Sequence, residues 1–128
     1  MEPIISLWPT LGHLLLDNPD YCYKAVVERV VDGDTINVLI SLGFNVKIKE
    51  RLRLSGIDSP ETYGVKKESD EYAAGMIAKN RLIELVENKD IIVKTEKKGK
   101  YGRYIAEIFI NEQSVNQILL SEGLVKPY

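Results

Sequence analysis

The sequence predicts an α+β fold, mainly β, in which five strands form a small barrel with one long helix between the third and fourth strands. Three observations support this prediction. Short runs rich in β-branched residues alternate with glycine-containing turns. One long segment has the apolar spacing of a helix. A chain of 128 residues that is 45% hydrophobic and 28% charged suits one globular domain.

The first three strands are predicted from patterns in the first half of the chain. Residues 23–31 and 34–42 are rich in β-branched side chains, and Asp32-Gly33 between them is typical of a tight turn. Basic and apolar side chains alternate over residues 44–55, so the third strand is expected to have one basic face. That face consists of Lys47, Lys49, Arg51 and Arg53. The three strands are expected to form a meander.

The long helix is predicted over residues 69–87, with Ser69 as its N-terminal cap. Its apolar stripe is expected at Tyr72, Met76, Leu82, Ile83 and Val86. Residues 90–96 and 103–110 are predicted as the fourth and fifth strands, and 114–122 as a short C-terminal helix. Three strands, a long helix, two strands and a short helix are the layout of an OB-fold barrel.

Residues 1–22 are predicted to form an N-terminal extension that packs on the main domain, residues 23–128. The extension has an apolar stretch over residues 4–16 but contains no Lys or Arg. It therefore lacks the positively charged start of a signal peptide, and the stretch is too short to span a bilayer. We expect no membrane association, and the sequence leaves the cellular location open.

The single cysteine and the single histidine exclude several kinds of site. Cys22 alone cannot form an internal disulfide or a cysteine-based zinc site, and His13 alone cannot form a histidine pair for a metal. We expect Trp8 to be a packing anchor and His13 to be a surface or partly buried residue rather than a catalyst. A metal site in this chain would therefore use oxygen ligands.

The charge of the chain is unevenly placed. The net charge of −2 does not by itself predict binding to nucleic acid. The third predicted strand, however, has four basic residues against Glu50, and residues 89–103 have six basic residues against two acidic ones. Two basic segments on a mildly acidic chain indicate a directed patch for an anion. Solvated strand faces and turns are the alternative interpretation of the same charges.

Three short motifs place polar and charged side chains close together in the sequence. The motif D-G-D-T at 32–35 lies at the first predicted turn, where a plain hairpin turn is the alternative. Residues 53–61 place an arginine on a strand and two carboxylates in the loop that follows. The motif K-Y-G-R at 100–103 places a second arginine at the start of the fifth strand.

These residue types are the ones that phosphodiester hydrolysis needs. Asp34 and Asp58 can supply oxygen ligands to a hard divalent cation, together with a backbone carbonyl and water. Glu61, if it is not a metal ligand, can accept a proton from an attacking water. Arg53 and Arg103 can each bind phosphate oxygens through two nitrogens and stabilise the charge that develops in the transition state.

From about Tyr23 to its end, the chain resembles the staphylococcal nuclease (thermonuclease) family. The resemblance rests on D-G-D-T at 32–35, R-L-x-G-I-D-x-P-E at 53–61 and K-Y-G-R at 100–103, in this order and at compatible spacing. It implies an OB-fold, Ca²⁺-dependent nuclease that cuts both DNA and RNA and leaves 3′-phosphate ends. We expect single-stranded substrates to be preferred and the protein to act as a monomer.

The resemblance also implies roles for individual residues. It implies that the metal ligands are Asp34, Asp58 and the backbone carbonyl of Ser59. It implies that Glu61 is the general base, and that Arg53 and Arg103 bind phosphate. Lys100 and Tyr101 match residues that line the family's nucleotide pocket. Asp32 falls near the ion, and Tyr128 falls near a tyrosine of the pocket.

One departure from the family and one alternative function stay open at this point. The loop after Glu61, through residues 63–67, is shorter than is usual in the family, and we expect this to alter substrate preference. The alternative is a catalytically inactive module of the same OB-fold type that binds single-stranded nucleic acid or protein. The presence of all five charged site residues favours the enzyme, because a scaffold has no need of them.

Overall fold

The computed structural model describes residues 22–62, 64–98 and 104–128, except for the side chains of residues 96–98. The strands are β1 (Cys22–Asp32), β2 (Thr35–Gly43), β3 (Val46–Leu54), β4 (Ile57–Asp58), β5 (Asp90–Lys98), β6 (Tyr104–Ile110), β7 (Gln113–Ser114) and β8 (Lys126–Pro127). The helices are α1 (Asp70–Val86) and α2 (Val115–Ser121). Neither helix of this described part is long and apolar enough to cross a membrane.

The five long strands form a closed barrel, as predicted. Strands β1, β2 and β3 form an antiparallel meander, and β5 pairs with both β1 and β6. The barrel closes where β3 and β6 pair in parallel, with Leu52 opposite Tyr104 and Leu54 opposite Ala106. This order, with α1 between β3 and β5, confirms the OB-fold prediction.

The barrel interior is filled by alternate residues of the strands together with residues of both helices. The largest fully buried side chains are Ile36, Leu52, Leu54, Ile57, Leu82, Ile108, Leu119, Val27, Val30, Val38 and Val86. Each contributes about 1.5–3 kcal/mol relative to an exposed position. The apolar face predicted for the third strand is only partly buried, since Ile48 is 38% exposed. The reason is that β6 pairs only with the last three residues of β3, so the β2–β3 hairpin extends beyond the barrel.

Helix α1 begins as predicted, and its buried stripe matches the predicted one at Leu82 and Val86 but not in its first half. The Ser69 hydroxyl accepts a hydrogen bond from the Tyr72 backbone N–H at 3.1 Å, so Ser69 is the N-cap. The buried residues of the helix are Gly75, Ala78, Leu82 and Val86. Tyr72 and Met76 are only half-buried, because the small residues at 75 and 78 form the line of closest contact with the rest of the protein.

The last described residues run beside the loop that follows β3. Strand β8 pairs antiparallel with β4, with Asp58 opposite Lys126, and the Tyr128 backbone N–H donates to the Gly56 carbonyl at 3.1 Å. Neither of these short strands was predicted from the sequence. The predicted extension lies outside the described residues apart from Cys22, where β1 begins one residue earlier than predicted.

Candidate active site

Asp34 is held at the turn between β1 and β2 by groups from three parts of the chain. Its Oδ1 accepts a hydrogen bond from the Thr35 hydroxyl at 3.0 Å. Its Oδ2 accepts from the Ser59 backbone N–H at 3.1 Å and lies 3.6 Å from Nη2 of Arg53. The Asp34 side chain is only 11% exposed. The position of this carboxylate is therefore fixed by the fold.

Arg53 lies near the end of β3 and joins the two aspartates. Its Nη2 lies 3.4 Å from Oδ1 of Asp58, so the same nitrogen contacts both Asp34 and Asp58. The Tyr128 ring stacks on the guanidinium, with Arg53 Cζ 4.6 Å from the ring centroid. A cation over an aromatic face is attracted by the ring quadrupole, so this contact helps to orient the guanidinium plane.

Two further carboxylates, those of Asp32 and Glu61, lie near Asp34 and Asp58. Asp32 Oδ1 accepts hydrogen bonds from the Gly33 N–H at 3.0 Å and the Thr62 hydroxyl at 3.3 Å. Burial raises the pKa of Asp32, with the Gly33 hydrogen bond opposing this effect and repulsion by Asp34 adding to it. Burial also raises the pKa of Glu61, and repulsion by four acidic neighbours raises it further. These neighbours are Asp32, Asp34, Asp58 and Glu71. The acidic groups are thus close enough to disfavour one another's charge.

This set of oxygen atoms fits a hard divalent cation. In the described part of the chain, no three His, Cys, Asp or Glu side chains lie close enough to hold a metal by themselves. Asp34 and Asp58, however, both contact one nitrogen of Arg53 and therefore face a common space. Ca²⁺ takes carboxylate, backbone carbonyl and water oxygens, so two carboxylates leave positions for a carbonyl and water. A bound cation would also relieve the repulsion among the carboxylates.

Comparison with known proteins identifies the family. The family model for staphylococcal nuclease homologues matches residues 51–128. The chain belongs to the staphylococcal nuclease family. It is 35% identical to the thermonuclease of Staphylococcus intermedius over 103 residues, which are 79% of this chain and 57% of that protein. It is also 35% identical to endonuclease YncB of Bacillus subtilis over 106 residues, 80% of this chain and 47% of that protein.

A third relative is the micrococcal nuclease of Shigella flexneri, which is 28% identical over 115 residues, 83% of this chain and 59% of that protein. The chain spans about half the length of these relatives. The resemblance to the staphylococcal nuclease family that the three motifs predicted is thus confirmed.

In this member of the staphylococcal nuclease family, two glycines hold the loop after β4 in place. A Cβ atom added at Gly75 would lie 2.7 Å from the Pro60 carbonyl oxygen and 2.7 Å from Cγ2 of Thr62. One added at Gly33 would lie 2.8 Å from Cβ of Ser59. All three distances are too short for real Cβ contacts, so only glycine permits this packing. The sequence analysis missed this role, although a glycine inside a helix indicates such a close approach.

We predict that Gly75→Ala destabilises the protein, although alanine is the better helix former. Alanine would normally gain about 1 kcal/mol in a helix, but here its methyl group displaces the loop that carries Glu61. We expect a net loss of about 1–3 kcal/mol in the free energy of unfolding, measured by urea denaturation.

The control for this prediction is Ala73→Gly, at an exposed position of the same helix. It should lose about 1 kcal/mol through helix propensity alone. A Gly75→Ala variant that is more stable than the parent would contradict the proposed packing role.

The residues of the K-Y-G-R motif lie outside the described part of the structure. The predicted roles of Lys100, Tyr101 and Arg103 therefore stay predictions. The first described residue after them, Tyr104, is in register with Leu52 on β3, next to Arg53. Tyr128, which the sequence analysis placed near a pocket tyrosine, contacts Arg53 directly.

Proposed function

We propose that this protein is a Ca²⁺-dependent nuclease that hydrolyses phosphodiester bonds of DNA and RNA and leaves 3′-phosphate ends. The observation that carries the proposal is the contact of one Arg53 nitrogen with both Asp34 and Asp58, at 3.6 Å and 3.4 Å. A phosphate-binding arginine and a pair of metal-binding carboxylates within one small space are the groups that phosphoryl chemistry needs.

In this proposal, Asp34, Asp58 and the backbone carbonyl of Ser59 hold Ca²⁺. The bound ion would polarise a phosphoryl oxygen and offset negative charge in the transition state. Arg53 binds phosphate oxygens through its planar guanidinium, which the two aspartates and the Tyr128 ring orient.

Glu61 is the proposed general base. A raised pKa makes its carboxylate a better proton acceptor, and the causes of the raised pKa are burial and the neighbouring acids. Water attacks phosphorus in line, so that a bond forms between the water oxygen and phosphorus while the bond from phosphorus to the 5′ oxygen breaks. Glu61 takes the proton of the water, and the departing 5′ oxygen takes a proton from solvent.

We further propose that the substrate is held mainly through its backbone, with single-stranded nucleic acid preferred. Contacts to phosphate and sugar carry no sequence information, so cleavage is nearly independent of sequence. Arg103 is the proposed second phosphate ligand, and Lys100 and Tyr101 the proposed lining of the nucleotide pocket. Since every proposed site residue comes from one chain, a monomer suffices for activity.

Digestion of heat-denatured DNA, with Ca²⁺ and with EGTA, tests the proposal when the product ends are analysed. The expected result is cleavage that requires Ca²⁺ and leaves 3′-phosphates. A folded protein that binds the DNA in EGTA and leaves it intact in Ca²⁺ would instead be the inactive module. Cleavage to 5′-phosphate ends would contradict the proposed direction of attack.

We also predict that Ca²⁺ stabilises the fold against heat. At a free Ca²⁺ concentration tenfold above the dissociation constant, binding adds about 1.4 kcal/mol, which corresponds to a rise of roughly 4–8 °C in melting temperature. Asp34→Asn should abolish the rise, because it removes one of two carboxylate ligands. Asp90→Asn, at an exposed position on β5, is the control and should keep it. An unchanged rise in Asp34→Asn would contradict the assignment of this ligand.

A further inference from the structure

Three exposed basic side chains lie in line with Arg53 on β3. Lys47, Lys49 and Arg51, here called the basic strip, occupy alternate positions of the strand and therefore share one face with Arg53. All three are exposed. Alternate residues are roughly 6.8 Å apart, so the line from Lys47 to Arg53 is about 20 Å long. The strip thus leads from the β2–β3 hairpin directly to the candidate active site.

The residues in register with the strip do not neutralise it. On β2, the partners of Lys47, Lys49 and Arg51 are uncharged, namely Ser41, Leu39 and Asn37. Asn37 Oδ1 accepts a hydrogen bond from Nε of Arg51 at 3.1 Å, which holds this guanidinium along the strand. On β1, the next residue in the same row as Arg51 is again basic, Arg29, which is opposite Asn37.

One exposed acidic residue, Glu28, lies beside Arg29 at the bulge of β1, two strands from β3, where it offsets the charge of Arg29. Glu50 and Asp90 lie elsewhere. Glu50 shares the parity of the buried Leu52 and lines the cavity at the open end of the barrel, on the opposite face of β3. Asp90, in register with Val26, lies three strands away from Lys49. At about 4.8 Å per strand this is roughly 14 Å, which exceeds the screening length of about 10 Å in 0.1 M salt. The strip is therefore a line of three exposed positive charges, and Glu28 is the acidic side chain of β1 that lies near it.

We propose that the basic strip binds successive phosphates of the nucleic acid on one side of the bond that is cut. This inference rests on the proposed function, because Arg53 holds the phosphate that is attacked. A flat line of evenly spaced cations, continuous with a phosphate-binding arginine, is complementary to an extended polyanion. The strip offers charge without hydrogen-bond partners specific for bases, so it adds affinity and not sequence preference.

Equilibrium binding of a 20-nucleotide oligothymidylate in EDTA tests the proposal without cleavage. The variant is Lys47→Gln/Lys49→Gln. Loss of two phosphate contacts should reduce the slope of log affinity against log salt by about 1.4, and should weaken binding roughly 25-fold in 0.1 M salt. With Ca²⁺, the ratio of kcat/KM for the oligonucleotide to that for a dinucleotide should fall by a similar factor, since a dinucleotide is too short to reach the strip.

A matched control removes the same charge elsewhere. In Arg81→Gln/Lys89→Gln, the two lost cations contact groups of this chain: Arg81 pairs with Glu122 at 2.8 Å, and Lys89 Nζ donates to the Glu84 carbonyl at 2.9 Å. This variant has the same net charge as the test variant. Its affinity should therefore stay within about twofold of the parent unless total charge alone governs binding.

The outcomes separate this inference from the proposed function. If the parent cuts DNA but the strip variant keeps its affinity and salt slope, the proposed role of the strip is wrong and the proposed nuclease function is unaffected. If the parent cuts nothing yet the strip variant loses affinity as expected, the nuclease proposal fails, and what holds of the strip proposal is only that this face binds nucleic-acid phosphates. Equal losses of affinity in the strip variant and the control variant would overturn the proposed role of the strip. So would a strip variant that binds the oligonucleotide normally but no longer binds phosphatidylserine vesicles, because this face would then recognise a lipid surface.

Discussion

Replacement of Glu61 by glutamine is expected to lower kcat for cleavage of single-stranded DNA by about 10²- to 10⁴-fold, the usual contribution of a positioned general base. Glutamine has the shape of glutamate but cannot accept the proton of the attacking water. The parent enzyme should also lose activity as the pH falls through the raised pKa of Glu61, and the variant should lack this limb of the pH profile.

The same substitution should not harm the fold. The pKa of Glu61 is raised, which means that the folded protein disfavours the ionised carboxylate. The stability associated with this group is therefore greatest at low pH and is lost as the pH rises through the folded pKa. Neutral glutamine avoids this cost at pH 7, so Glu61→Gln should unfold at the same or a higher urea concentration than the parent.

The control for Glu61→Gln is Glu84→Gln, which makes the same change at an exposed position of α1. It should retain parental turnover. If Glu61→Gln also retained turnover within a few-fold of the parent, another group would have to accept the proton.

The second large effect is expected for Arg53→Lys, with a loss of about 10²- to 10³-fold in kcat. Lysine keeps the positive charge but not the planar fork that binds two phosphate oxygens. It also cannot reproduce the geometry in which one guanidinium contacts Asp34 and Asp58 while stacking on Tyr128. Steady-state kinetics on a dinucleotide substrate measure this loss without a contribution from distant phosphate contacts.

Arg81→Lys is the matched control for this substitution, because Arg81 is likewise paired with a carboxylate, that of Glu122, through two bonds of 2.8 Å each. That pair is on the surface between the two helices, where solvent screens the two charges and the effect on stability is small. The Arg81→Lys variant should have the same turnover as the parent. Equal turnover of Arg53→Lys and the parent would contradict phosphate binding by the Arg53 fork.

Much of the fold could be predicted because local patterns specify it. Alternation identified the buried Leu52 and Leu54, and the D-G-D-T motif gave the turn between β1 and β2. Ser69 was predicted to cap the long helix, and in the structure its hydroxyl accepts a hydrogen bond from the Tyr72 backbone N–H. The less accurate predictions concern the extent of each face. Ile48 is on the apolar side of β3 but is exposed, since nothing in the local pattern states where the barrel ends.

The candidate site was predicted as a set of residues, and the structure brings its described members together. Arg53, Asp34 and Asp58 were singled out from chemistry and motif, and they are in contact. The supporting contacts were not predicted, above all the close packing of Gly75 on the loop that carries Glu61. That packing joins segments whose separation in the chain gives no periodic signal.

The sequence by itself determined the family, the order of the five long strands and two helices, and the identity of the charged residues, because motifs and alternation are local properties of the chain. Only the tertiary structure decided how these residues are held. The Ser59 N–H reaches the Asp34 carboxylate, and the Tyr128 ring reaches Arg53, because closure of the barrel and the pairing of β4 with β8 bring distant segments together. Such contacts result from the packing of the whole domain, and no short stretch of sequence encodes them.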